Sequence, residues 1–185
     1  MFLDTAKTIM LYPTQFDCAG LIQASEDLGL WKTAKVDNSD GSYAAVTDFR
    51  NNSRIYIKEF GTNGISWDRK LFLAFNLALS EYLKHFFFPS NRVKDEGYEI
   101  LKYNPGEYFK LHIDDGANWQ NHRRTVSAIF FLNDNFGGGE IEFPRQQIKI
   151  KPKAGSIIIF PSNFAYPHQV LPPDGVRYVA VTWFN

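Results

Sequence analysis

The chain has 185 residues, 44% of them apolar, 22% charged and 16% aromatic, a make-up that suits a globular domain and excludes disordered, collagen-like and coiled-coil chains. Twenty basic residues balance twenty acidic ones, so the expected partners include neither nucleic acid nor a membrane surface. The one cysteine, Cys18, cannot form an internal disulfide and fits a reducing, cytoplasmic compartment.

The first residues, MFLDTAKTIMLYPTQF, interrupt their apolar character with Asp4, Lys7 and Pro13, unlike the continuous apolar stretch of a secretory signal. Residues 17–28 read as a helix with Leu21, Ile22 and Leu28 on one face and Gly29 as its stop. Turn signals at residues 37–41 and 50–53 make the stretch from Val36 to Arg54 either a lid loop or a plain hairpin. Ser66 then caps a longer helix in which Leu71, Phe72, Phe75, Leu79, Tyr82, Leu83 and Phe86 recur at helical spacing, until Pro89 stops it. Asn76, Glu81, Lys84 and His85 within this stretch argue against a bilayer span.

From Tyr98 onward the period changes to two, and runs rich in Val, Ile, Tyr and Phe alternate with Gly, Pro, Asn and Asp. Strands are expected at 98–103, 108–114, 125–132, 140–143, 147–151, 156–160, 167–171 and 177–184. The continuous apolar runs at 127–132 and 157–160 suit strands buried on both faces, with the N-terminal helices as cover. The fold class expected is mainly β with N-terminal helices. Its domain organisation is one unit over 1–185, with 1–97 as helix-containing support and 98–185 as the β core.

Four histidines are present: His85, His112, His122 and His168. On a strand, His112 and Asp114 project from one face; they either converge on a divalent metal, or Asp114 simply orients His112. His168, 54 residues beyond Asp114, is a candidate third ligand, and two histidines with one carboxylate make the facial triad of non-haem Fe(II) oxygenases. His122 is the rival ligand, although it lies in a polar loop, and His85 suits a helix-end role. Arg177 stands in an otherwise apolar strand and needs an anionic partner, either an internal carboxylate or a bound one. Gly137, Gly138 and Gly139 read as a turn rather than a phosphate loop, because no P-loop lysine follows.

Taken in order, residues 103–114 (YNPGEYFKLHID), 124–133 (RTVSAIFFLN), 137–144 (GGGEIEFP), 152–160 (PKAGSIIIF), 168–170 (HQV) and 175–177 (GVR) resemble the prolyl 4-hydroxylase group of 2-oxoglutarate and Fe(II)-dependent dioxygenases. The resemblance spans residues 98–184 and implies a double-stranded β-helix, a jelly-roll core with the metal at one mouth. It further implies that His112, Asp114 and His168 bind Fe(II), and that Arg177 pairs with the C5 carboxylate of 2-oxoglutarate. Tyr103 is implied along the cofactor cleft, Trp183 beside the substrate and Arg124 near the substrate cleft. Two positions depart from the family. Phe109 replaces a frequent Tyr three residues before the first His, leaving Tyr108 as the neighbouring substrate-side hydroxyl. Phe131 replaces a Tyr that helps hold the cofactor carboxylate, so Thr125 or a water is expected to assist Arg177.

The implied activity is hydroxylation of an unactivated C–H bond, foremost in a peptidyl proline, consuming O2 and 2-oxoglutarate and releasing succinate and CO2, with ascorbate as reductant. Two alternatives stay open: the same chemistry on a free amino acid or small metabolite, and a non-catalytic β-helix binding module.

Overall fold

The computed structural model describes residues 5–37, 43–86, 93–115 and 124–185. In chain order the elements are β1 (Met10–Pro13), α1 (Cys18–Leu28), β2 (Lys32–Thr33), β3 (Val36–Asp37), β4 (Tyr43–Ala44), β5 (Arg50–Asn51), β6 (Ser53–Tyr56), α2 (Thr62–Leu83), β7 (Glu99–Tyr103), β8 (Tyr108–His112), β9 (Val126–Phe131), β10 (Ile141–Phe143), β11 (Ile148–Ile150), β12 (Ser156–Pro161), β13 (His168–Val170) and β14 (Arg177–Phe184). Each of the eight expected strands beyond Tyr98 is present, with ends within two residues of the expected ones. The protein is mainly β, with every strand pair antiparallel among the described residues.

Seven strands form one sheet in the order β1-β12-β9-β14-β7-β6-β2, and five form a second in the order β11-β10-β13-β8-β5. Strict alternation along the central strands separates two cores. Ile100, Phe130, Ile157, Ile159 and Ala180 turn toward the helices. Their neighbours Leu101, Phe131, Ile158, Phe160 and Val179 turn inward, where they meet Ile141, Phe143 and Val170 of the second sheet. Both faces of the seven-stranded sheet are therefore dry, which is why its strands carry unbroken apolar runs rather than a polar alternation. This arrangement of two facing antiparallel sheets fits a jelly-roll core.

The helices cover the outer face. In α1, the Asp17 carboxylate accepts from the Gly20 N–H at 2.9 Å, and Gly29 ends the helix in the left-handed conformation at φ 62°. In α2, Leu71, Phe75, Ala78, Leu79 and Tyr82 are buried. The helix starts at Thr62 rather than at Ser66, because a 3-10 turn at Ile57–Phe60 feeds straight into it. A Cβ on Gly64 would stand 2.7 Å from the Ile57 carbonyl, so only glycine permits that entry. Phe72, expected on the buried face, is 47% exposed. Pro89, the expected stop, lies outside the described residues.

The stretch from Val36 to Arg54 resolves in favour of a hairpin, with β3 paired to β4, followed by β5 and β6. These last two strands join different sheets: β5 pairs with β8 and β6 with β7. Residues Arg50 and Arg54 are thereby carried into the interior at 7% and 8% exposure.

Candidate active site

His112 ends β8 and His168 begins β13, and the two are direct partners across the strand pair. Their rings sit 4.3 Å apart between centroids. Asp114, just past the end of β8, reaches both: its Oδ1 is 3.5 Å from His112 Nε2 and its Oδ2 is 3.6 Å from His168 Nε2. One ligating atom from each residue lies within 4.8 Å of the others.

Each imidazole is oriented by the backbone carbonyl two residues before it, within β8 for His112 and just ahead of β13 for His168. His112 Nδ1 faces the Lys110 carbonyl at 2.7 Å, and His168 Nδ1 faces the Tyr166 carbonyl at 3.1 Å. A carbonyl only accepts, so Nδ1 carries the proton in both rings and Nε2 offers its lone pair to the shared centre. Burial pushes the His168 pKa down to about 4, with His112 adding to the effect and Asp114 opposing it, which keeps this ring neutral at ordinary pH. Burial alone would raise the Asp114 carboxyl, but His168, His112 and the Ser127 hydroxyl outweigh it and hold it well below the usual carboxylate range. Two imidazoles and one carboxylate are the donor set suited to a divalent iron with open positions.

A bulge shapes the wall beside His112. His168 pairs with His112 but Val170 pairs with Phe109, so two steps on β13 match three on β8. The extra residue breaks the alternation and turns Phe109 to the same side as His112, where the rings stack at 3.5 Å. Tyr108 is consequently turned away, its hydroxyl 3.4 Å from the Asp48 carbonyl. Arg50 comes from β5 to lie 4.8 Å over the Phe109 ring, with hydrogen bonds to Asn52 and the Lys35 carbonyl.

Arg177, the first residue of β14, is 1% exposed. Among the described residues none of its three guanidinium nitrogens has a hydrogen-bond partner, and the rings of Tyr103 at 4.9 Å and Phe131 at 5.8 Å lie beside its charge. Burial pushes its pKa down to about 10, against the pull of the Tyr103 side chain. A buried cation without an anion is costly, and Arg177 lines the same narrow cleft as His112, Asp114, His168 and Tyr103. The residues therefore fit an anionic group that spans from the His–Asp–His cluster to this guanidinium.

Trp183 lines the cleft as well. Arg124 stacks on it, with its guanidinium carbon 3.7 Å from the ring centroid, while binding the Glu96 carboxylate through Nε and Nη2. Thr125 is not brought to Arg177. Its N–H donates to the Phe184 carbonyl, at the far end of β14 and seven residues, or about 23 Å, from Arg177. His122 and Arg123 lie outside the described residues. The expectations above missed Arg50, Ser127 and Ser162. Ser127 was detectable as a polar residue at an inward-facing position of an apolar strand and Ser162 as a polar residue just past another, whereas Arg50 had no local signal.

A larger groove of about 640 Å³ lies between α2 and the β1–α1 connection, lined by Tyr12, Phe16, Leu73 and Leu77 among others. The one cluster of three or more potential metal ligands among the described residues is the His–Asp–His group.

Residues 98–185 match the model of the 2OG-Fe(II) oxygenase superfamily. A PKHD-type hydroxylase of Rippkaea orientalis is 35% identical over 90 residues, 45% of this chain and 40% of that protein. The chain spans between 40% and 52% of the length of the first curated relatives that it matches. Among solved structures, the viral collagen prolyl hydroxylase of Paramecium bursaria Chlorella virus-1 superposes with a TM-score of 0.71 at 21% identity, over 99% of this chain and 98% of that one. A Trichoplax adhaerens prolyl hydroxylase in complex with a hypoxia inducible factor peptide fragment gives 0.70 at 19% identity, over 96% and 83%. These likenesses support a prolyl-hydroxylase-like 2OG-Fe(II) oxygenase, a superfamily whose cofactor set is Fe(II), 2-oxoglutarate and O2.

Proposed function

We propose that this chain is a dioxygenase that hydroxylates a peptidyl proline, with His112, Asp114 and His168 holding Fe(II) and Arg177 binding the C5 carboxylate of 2-oxoglutarate. One observation carries the reading: a fully buried guanidinium without a hydrogen-bond partner among the described residues shares a cleft with a pre-oriented His–Asp–His cluster. When bound, Fe(II) and 2-oxoglutarate supply the activation of O2 and the oxidation that ends in succinate, CO2 and a hydroxylated carbon.

The chain's own residues do the rest. Arg177 would grip the carboxylate in a fork, stronger for being buried, with Tyr103 alongside. Leu101, Ile129, Val179 and Val181 line the cleft and exclude water from the reaction. Trp183, braced by Arg124, would face the substrate from the open side. A peptide substrate is supported by the Trichoplax relative, which is seen with a peptide fragment. The same reading treats residues 1–185 as one domain with a double-stranded β-helix at its centre. No helix among the described residues is long and apolar enough to cross a membrane, and the free Cys18 supports a cytoplasmic setting.

The test is succinate release with Fe(II), 2-oxoglutarate and ascorbate, comparing proline-rich peptides with free amino acids and checking products by mass. Peptide-stimulated turnover with one oxygen added at proline supports the proposal. Oxygen found only on a free amino acid or on a non-proline side chain overturns the peptidyl-proline assignment.

A further inference from the structure

The space between the two sheets is lined by apolar side chains, Ile129 and Phe131 from β9, and Ile158 and Phe160 from β12. Two serines interrupt these rows. Ser127 is 0% exposed and Ser162, just past β12, is 1% exposed. A buried hydroxyl left unbonded costs roughly 1–3 kcal/mol, and these two meet each other with their Oγ atoms 2.7 Å apart. Ser127 Oγ also lies 2.6 Å from Asp114 Oδ2.

The direction of this chain follows from donor counting. An ionised carboxylate only accepts, so Ser127 gives its single hydrogen to Asp114. Its oxygen then accepts from Ser162, and the order is Ser162 to Ser127 to Asp114. Ser162 also holds the surrounding backbone: its N–H donates to the Thr125 carbonyl and its carbonyl accepts from the Asp115 N–H, each at 3.0 Å. The same residue thus fixes the chain next to Asp114 and the hydroxyl relay that reaches the Asp114 side chain.

We propose that Ser127 and Ser162 are positioning residues for Asp114, locking its carboxylate in one orientation through Oδ2 and so setting the divalent-cation affinity of the site and favouring coordination through a single oxygen. This rests on the Fe(II)-site reading above. The hydrogen bond to Oδ2 is charge-assisted and buried, whereas Oδ1 has no hydroxyl donor and faces His112 Nε2. Outer partners of this kind commonly change metal affinity by 10- to 100-fold.

The test is calorimetric titration of the metal-stripped full chain with Mn(II), a redox-stable stand-in for Fe(II), with the thermal midpoint of the metal-free protein recorded in parallel. Ser127→Ala is expected to weaken Mn(II) binding by roughly 10- to 100-fold. Ser127→Thr, which keeps the hydroxyl, is expected to restore most of it. Ser162→Ala should weaken binding less, and the double alanine variant should be no weaker than Ser127→Ala, because Ser162 acts through Ser127. Mn(II) affinity of Ser127→Ala within about twofold of the parent, with His112→Ala losing binding, overturns the positioning role. Undiminished Mn(II) binding by His112→Ala overturns the metal-site reading itself, a separate outcome.

Discussion

His112 and His168 face each other as register partners across β8 and β13, and each points its Nδ1 at the carbonyl two residues before it. Backbone carbonyls thus dictate both tautomers before any metal arrives, one from within β8 and one from the turn that leads into β13.

Arg177→Gln removes a cation that has no hydrogen-bond partner among the described residues. Its expected signature is split: 2-oxoglutarate binding falls by about 10- to 100-fold, as suits loss of a charged hydrogen-bond pair, while the thermal midpoint of the cofactor-free chain holds or rises. Calorimetry with 2-oxoglutarate and a melting curve on the same sample check both. A large drop in midpoint with unchanged 2-oxoglutarate affinity would mean that Arg177 is structural.

Acid should destabilise the metal-free chain in a defined window. The His168 pKa lies near 4 in the fold against an ordinary 6.5, so between these values the unfolded chain binds the extra proton. Stability is full above pH 6.5 and falls as the pH drops toward 4, by about 3 kcal/mol at most for a shift of this size. Asp114, held low, adds a loss in the same direction below its ordinary 3.8. Urea midpoints at pH 7 and pH 5 measure the effect, and His168→Gln should flatten the slope between them. An unchanged slope in that variant contradicts the assignment.

Gly139 adopts φ +68°, and a Cβ there would stand 2.8 Å from the Phe136 ring and 3.1 Å from Arg177 Cδ. Gly139→Ala should therefore cost about 1–3 kcal/mol in backbone strain and displace Arg177 as well, raising the KM for 2-oxoglutarate. Chemical denaturation and KM on one preparation test it. A destabilised variant with the parent KM would separate the turn from the cofactor site.

Phe131→Tyr places a hydroxyl on a ring that already lies 5.8 Å from the Arg177 guanidinium. One added neutral hydrogen bond is worth about 0.5–1.5 kcal/mol, so 2-oxoglutarate binding should tighten by about two- to tenfold. Weaker binding by this variant would show that the cleft has no room beside Arg177 for a second polar group.

The strands and the charged residues at their ends were legible because they are local: period-two patterning located β7 to β14, and an arginine in an apolar strand announced a buried charge. Position across strands was not. Thr125 was expected to assist Arg177 in place of the hydroxyl that Phe131 lacks, but β9 and β14 run antiparallel, which sends Thr125 to the opposite end. Tyr108 was expected on the substrate side only as the neighbour of Phe109, and the bulge turns Phe109 rather than Tyr108 toward His112. Arg50 enters through pairing between β5 and β8, strands about sixty residues apart whose contact no periodicity encodes. Ser66 was expected to cap α2, yet the helix starts four residues earlier, where Gly64 allows close packing on the Ile57 carbonyl.

The most direct measurement is 2-oxoglutarate binding by calorimetry with and without Mn(II), on the parent chain, His168→Ala and Arg177→Gln. Binding that requires Mn(II) in the parent and is lost or strongly weakened in both variants is the expected result, since one end of the ligand would rest on the His–Asp–His cluster and the other on Arg177. Binding that is independent of Mn(II) and unaffected by either substitution would contradict the account.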